Sequence, residues 1–124
     1  MSWLLVRVKA SVQLWQKLFS NENCRVSIIA RQAEKLAAIC ERTGGERAGH
    51  AFFPADLMNR ETPEQITKKV LAKQGPIDIV IHNLGCGGGK SDVLGAADEW
   101  SEIWRMNVGV AIDINNNNIP SMIE

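Results

Sequence analysis

Three short apolar runs alternate with two segments of helical period, and that order constrains this chain more than any other feature. Residues 25–30, Arg-Val-Ser-Ile-Ile-Ala, are β-branched and brief, the pattern of a strand buried on both faces. Gln32 to Arg42 then sets Ala33, Leu36, Ala37 and Ile39-Cys40 at helical spacing and stops at Thr43-Gly44-Gly45. Residues 49–53, Gly-His-Ala-Phe-Phe, read as a second strand closed by Pro54. Thr62-Pro63-Glu64-Gln65 predicts a helix start: Thr62 can cap, Pro63 suits the first turn, and Gln65 can complete a capping box. That helix runs through Ile66, Val70 and Leu71 to Gly75-Pro76. Residues 77–82, Ile-Asp-Ile-Val-Ile-His, form a third strand, followed by a loop from Asn83 to Lys90. Asp98 opens another helix, with Trp100, Ile103, Trp104 and Val108 on one face. Strands alternating with helices in this way predict an α/β fold, a parallel sheet covered on both faces with right-handed connections.

The first 24 residues admit two readings. Leu4 to Val8 can be a strand leading into a helix at Ser11 to Ser20. The whole segment can also be one helix, because Val8, Val12, Trp15 and Phe19 share a face. The strand is preferred, since a parallel sheet needs a partner for residues 25–30.

Composition removes several functions. Lys and Arg number 14, Asp and Glu also 14, and the formal net charge is zero. With the basic residues scattered, no nucleic-acid footprint forms. No apolar run reaches the ~18 residues that span a bilayer, so no membrane role is expected. Cys24, Cys40 and Cys86 are odd in number and lack metal-ligand spacing, as do His50 and His82. A reduced, cytoplasmic protein without a metal site is the simplest reading. Tyrosine is absent, which removes any mechanism that uses a phenol as proton donor, and the first glycine is Gly44. Asn115 to Asn118 is the only low-complexity run.

Four motifs in order carry a resemblance. Val26-Ser-Ile-Ile-Ala-Arg31, Asp56-Leu57, Ile79-Val-Ile-His-Asn83-Leu-Gly85 and Trp104-Arg-Met-Asn107-Val together resemble the N-terminal half of a short-chain dehydrogenase/reductase, over residues from about 12 to 124. The resemblance implies an incomplete Rossmann-like sheet, with residues 1–124 as a single, partial dinucleotide-binding domain. Its strand order would be 3-2-1-4.

It also assigns roles. Arg31, at the end of the second strand, occupies the position that contacts the adenosine ribose; an arginine there pairs with a 2′-phosphate, which implies NADP(H). Asp56, followed by Leu57, matches the residue that hydrogen-bonds the adenine edge. Asn83-Leu84-Gly85 is similar to the family's Asn-Asn-Ala-Gly turn with His82 in place of the first Asn, and so implies close approach to the cofactor. Asn107 matches the helix asparagine that holds a water beside the catalytic lysine, a supporting role. Each residue also has a plain structural reading. Arg31 and Asn107 can face solvent, Asp56 can serve a turn, and Asn83 to Gly85 can be a strand-end turn. Trp100 and Trp104, one helical turn apart, read as core packing.

Two departures set limits. The family's Gly-rich turn, which lets backbone approach the pyrophosphate, has no counterpart, because residues 1–24 contain no glycine. The catalytic Ser and Tyr-x-x-x-Lys of complete relatives lie beyond the matched region. The expected function is therefore that of an NADP(H)-dependent carbonyl or alcohol oxidoreductase, with no turnover from these residues alone. The implied partners are the nicotinamide cofactor and a small carbonyl or alcohol substrate. Bare Val- and Ile-rich sheet edges imply marginal stability or pairing into a homo- or hetero-oligomer. A first alternative is a non-catalytic partner that docks on a full-length relative. A second is phosphate binding by Gly85-Cys-Gly-Gly-Gly89-Lys90-Ser91; Leu84 stands where a Walker loop needs its first glycine, so that loop is one residue short.

Overall fold

The computed structural model describes residues 1–6, 24–85 and 94–123. The expected helix at Ser11 to Ser20 and most of the Gly85 to Ser91 loop lie outside the described residues.

Among the described residues four parallel strands make a sheet: β1 (Ser2–Val6), β2 (Arg25–Ala30), β3 (Ala51–Pro54) and β4 (Ile79–His82). Their order is β3-β2-β1-β4, as the resemblance implied. The preferred strand reading near the N-terminus holds, and the one-helix alternative does not. The strand starts two residues before Leu4, and it fills the central position, pairing Val6 with Ile29 of β2 and with His82 of β4.

Both the second and third predicted strands begin two residues late, because a polar side chain just before each serves a distant backbone group. The His50 imidazole leaves the ladder to accept a hydrogen bond from the Val26 N–H at 3.1 Å. The Asp78 carboxylate does the equivalent for Ser2, accepting from its N–H at 2.5 Å.

Helices cover both faces. On one side, α1 (Ala33–Arg42) buries Leu36 against Cys24, Val26 and Ile28. On the other, α2 (Thr62–Gln74) presents Ile66 and Val70 to the sheet. They join Leu4, Val6, Ile29, Phe53 and Ile77 in the main core. A long C-terminal helical stretch completes that layer. It comprises α3 (Ala97–Trp104), a π-helical turn (Arg105–Gly109) and α4 (Val110–Met122), with Val110 and Ile114 in the core. Each fully buried aliphatic side chain contributes about 1.5–3 kcal/mol. A short 3₁₀ turn (Gly45–Ala48) connects α1 to β3.

The predicted cap of α2 is not formed. Thr62 is the first helical residue and Glu61 precedes it without a side-chain cap. An earlier turn supersedes it: Asn59 accepts from the Glu61 N–H through its side chain at 3.0 Å and from the Thr62 N–H through its carbonyl at 3.3 Å. The final helical stretch starts one residue before Asp98, where the Glu99 carboxylate accepts from the Ala96 N–H at 3.1 Å.

Trp100 and Trp104 are not core residues. They are 47% and 56% exposed. The buried stripe is Val110, Ile114 and Asn118, on a different side of the same helical stretch, with Asn118 against Thr67 of α2. Gly109 gives the Trp104 ring a seat on its own helix, where a Cβ would lie 2.9 Å from Cζ3.

Candidate functional site

A parallel sheet ends all its strands at one edge, and the loops that leave that edge carry most of the predicted site residues. Backbone hydrogen bonds anchor two of them: the Ala55 N–H donates to the Ala30 carbonyl at 2.9 Å, and the Asn83 N–H to the Val6 carbonyl at 3.1 Å. Between them and the last helical stretch lies a shallow cleft, open to solvent, with an inner volume of about 50 Å³. Ala30, Ala55, Leu57, Met58, Leu84, Met106 and Val110 make its apolar walls, and Arg31 and Asp56 supply its polar groups.

Arg31, Asp56 and Leu57, dispersed over two loops in the sequence, therefore share one cleft. Arg31 is exposed and Leu57 buried. The Asp56 side chain takes its plain structural role as well, because Oδ1 accepts from the Met58 N–H at 3.1 Å in an Asx turn. Small alanines at the strand ends leave the space; the turn holds the carboxylate at its rim.

Asn83, Gly85 and Asn107 form a second group beside it. Gly85 has φ +125°, a conformation that favours glycine, and a Cβ there would collide with Asn107 Oδ1. Asn107 is exposed and donates through Nδ2 to the Ile103 carbonyl at 2.7 Å. It lies inside the π-helical turn, the kind of helix irregularity that often accompanies functional sites. Leu84 and Met106 are sequence neighbours of Gly85 and Asn107, and both line the first cleft, so the two groups are continuous.

Three polar ties at this layer escaped sequence reasoning. His82 Nε2 and Asn115 Oδ1 are 2.7 Å apart, joining β4 to α4. Arg105 pairs with Asp113 and also donates to the Leu57 carbonyl at 3.4 Å. Fully buried Asn118 donates to the Ile114 carbonyl at 2.8 Å and contacts Thr67 Oγ1 at 3.5 Å. The asparagine run is thus partly interior. One signal was available: Val110, Ile114 and Asn118 follow at four-residue spacing on the buried face.

Other reactive groups lie apart from this cleft. Burial pushes the Cys40 thiol above its usual range, helped by the Glu41 and Glu46 carboxylates, so it is not an activated nucleophile. Burial lowers the pKa of His50, while a backbone hydrogen bond at Thr43 acts the other way. Among the described residues no cluster of His, Cys, Asp and Glu suits a metal. No described helix is long and apolar enough to cross a membrane.

Comparisons with known proteins agree with this fold. A family model described as short chain dehydrogenase matches residues 14–124. A short chain dehydrogenase of Pseudocercospora fijiensis is 26% identical over 110 residues, covering 87% of this chain and 36% of its own length. L-sorbose reductase from Gluconobacter frateurii, solved with NADPH and L-sorbose, has a TM-score of 0.82 at 20% identity, over 98% of this chain and 47% of that one. An NADH-dependent reductase solved with NAD has a TM-score of 0.82 at 16% identity, over 97% of this chain and 51% of that one. The chain thus spans about half the length of these solved structures and about a third of the curated relative.

Proposed function

The chain belongs to the short-chain dehydrogenase family, and on that premise we propose that it supplies the adenosine side of an NADP(H) site in a carbonyl or alcohol oxidoreductase. The observation that carries this reading is the single cleft that gathers Arg31, Asp56 and Leu57 at the C-terminal edge of the sheet.

The cleft suits such a group chemically. Its apolar walls match the faces of a flat heterocycle, and a carboxylate at the rim can accept from an exocyclic amine. Arg31, exposed at the mouth, suits a 2′-phosphate through its bidentate fork, whereas an acidic residue there would select a free ribose hydroxyl. Gly85 lets the chain pass close to Asn107. When bound, the nicotinamide group exchanges a hydride with a small carbonyl or alcohol substrate. Asn107 has a supporting part, its side chain held by the Ile103 carbonyl near the Gly85 turn. These 124 residues contain no tyrosine, so a phenolic proton donor has to come from outside them, and we expect no turnover from them alone. Buried Cys24 and Cys40, both thiols, are consistent with a reducing, cytoplasmic setting.

Calorimetric titration with NADPH and NADH tests the reading. NADPH should bind more tightly, and Arg31→Glu should abolish that preference. Equal affinities, or no binding of either cofactor, would refute it.

Exposed Trp100 and Trp104 favour a second reading, in which this helical face docks on a complete member of the family. Co-purification with such an enzyme, lost in Trp100→Ser/Trp104→Ser, would support it.

A further inference from the structure

Arg105 opens the π-helical turn that carries Asn107, and its side chain is only 16% exposed. One terminal nitrogen pairs with the Asp113 carboxylate, eight residues on. The other donates to the Leu57 carbonyl at 3.4 Å. Leu57 belongs to the loop that walls the cleft, and Met106, next to Arg105, lines that cleft from the helix side. Arg105 is not among the cleft-lining residues. It lines instead a second solvent-open hollow together with Trp104 and Asp113, and from there its guanidinium joins the two walls.

Stability does not explain this arrangement. Desolvating most of a guanidinium carries a cost, and with the Asp113 side chain 37% exposed the ion pair returns little. The compensation here is incomplete, because buried Nε has no partner among the described residues. What a guanidinium offers instead is a rigid planar fork. With one arm held by Asp113, the other is aimed at a fixed point on the Leu57 backbone. A lysine ammonium has no such fork and cannot hold both partners in that geometry.

The rest of the loop shows why the tie matters. Ala55 is anchored to β2 by its N–H, and Asp56 and Met58 are joined by their own Asx turn. Both contacts stay on the sheet side or inside the loop. The Arg105 contact reaches across to the helical wall.

We propose that Arg105, oriented by Asp113, is a positioning residue that sets the spacing between the Asp56–Met58 loop and the Met106–Val110 wall. It thereby tunes affinity for the adenosine end of the cofactor. This rests on the cofactor reading above for its ligand, though not for its structural part.

The test uses the full chain carrying Arg105→Met/Asp113→Leu, which removes both charges together, and Arg105→Lys, which keeps a cation beside Asp113. Calorimetry measures binding of adenosine 2′,5′-bisphosphate; hydrogen exchange without ligand follows the Met58 amide. Both variants should bind the bisphosphate about tenfold more weakly, the scale of one charge-assisted hydrogen bond. Met58 should exchange about tenfold faster while the Leu36 and Cys40 amides in α1 stay at the wild-type rate. Unchanged affinity and unchanged Met58 exchange would overturn the proposal. So would faster exchange throughout the sheet and α1, which marks a merely structural role. If the wild-type chain binds no bisphosphate, the cofactor reading fails, and Met58 exchange still decides whether Arg105 positions the loop. Should the double variant not fold, Arg105→Lys decides by the same two readouts.

Discussion

His50 should make the fold sensitive to mild acid. It is 4% exposed, just before β3, and its Nδ1 accepts from the Val26 N–H at 3.1 Å. The other ring nitrogen donates to the Thr43 backbone carbonyl. Both bonds require a neutral imidazole with its proton on Nε2, because an imidazolium would direct a second hydrogen at the Val26 N–H. Burial lowers the folded-state pKa, and the Thr43 carbonyl partly offsets that. The unfolded chain, with an ordinary histidine pKa near 6.5, therefore binds the proton more readily. This contribution is complete above about pH 6.5 and is lost as pH falls below it. One proton limits the slope to about 1.4 kcal/mol per pH unit, so moving from pH 7.5 to 5.5 costs at most about 1.4 kcal/mol. For a domain of this size that lowers Tm by roughly 5 °C. At pH 7.5, His50→Leu should cost about 2–4 kcal/mol, because the Val26 N–H loses its acceptor inside the core and the Thr43 bond is lost. Thermal melts by circular dichroism at pH 7.5, 6.5 and 5.5, for both proteins, provide the assay. The Glu46 and Glu64 carboxylates, lowered by hydrogen bonds from Lys73 and Lys68, lose their contributions only below the ordinary carboxylate range. They do not interfere in this window. A His50→Leu protein that keeps the full wild-type acid slope would refute the reasoning.

Three further outcomes are expected. Gly85→Ala should cost about 1–3 kcal/mol from its positive φ alone, and it should shift the Asn107 side-chain amide resonance through the Cβ collision; an unchanged resonance would contradict the close approach. Ile114→Ala empties a fully buried position and should lower denaturant stability by about 2–5 kcal/mol. A double-mutant cycle on His82→Leu and Asn115→Leu should give a coupling of about 0.5–1.5 kcal/mol, and a value of zero would remove the tie between β4 and α4.

The alternation of β-branched runs with helical segments determined the parallel α/β sheet, the place of β2, β3 and β4, and which loops reach its C-terminal edge. These are local properties: side-chain branching and apolar period bias the backbone within a few residues. Arg31, Asp56, Leu57, Asn83, Gly85 and Asn107 were legible as candidates only through the family resemblance of the motifs that hold them. Partners and faces were not legible. Periodicity placed Trp100 and Trp104 on one stripe, but the helix docks through Val110, Ile114 and Asn118. The same docking turned part of an apparently simple asparagine run inward, where His82 and Thr67 offer polar partners. The strand starts moved because His50 and Asp78 serve distant backbone groups. Only tertiary structure could bring Arg105 to the Leu57 carbonyl, 48 residues away in the chain. Burial and hydrogen-bond partnership depend on which surfaces meet, and that information lies in long-range contacts rather than in any window of the sequence.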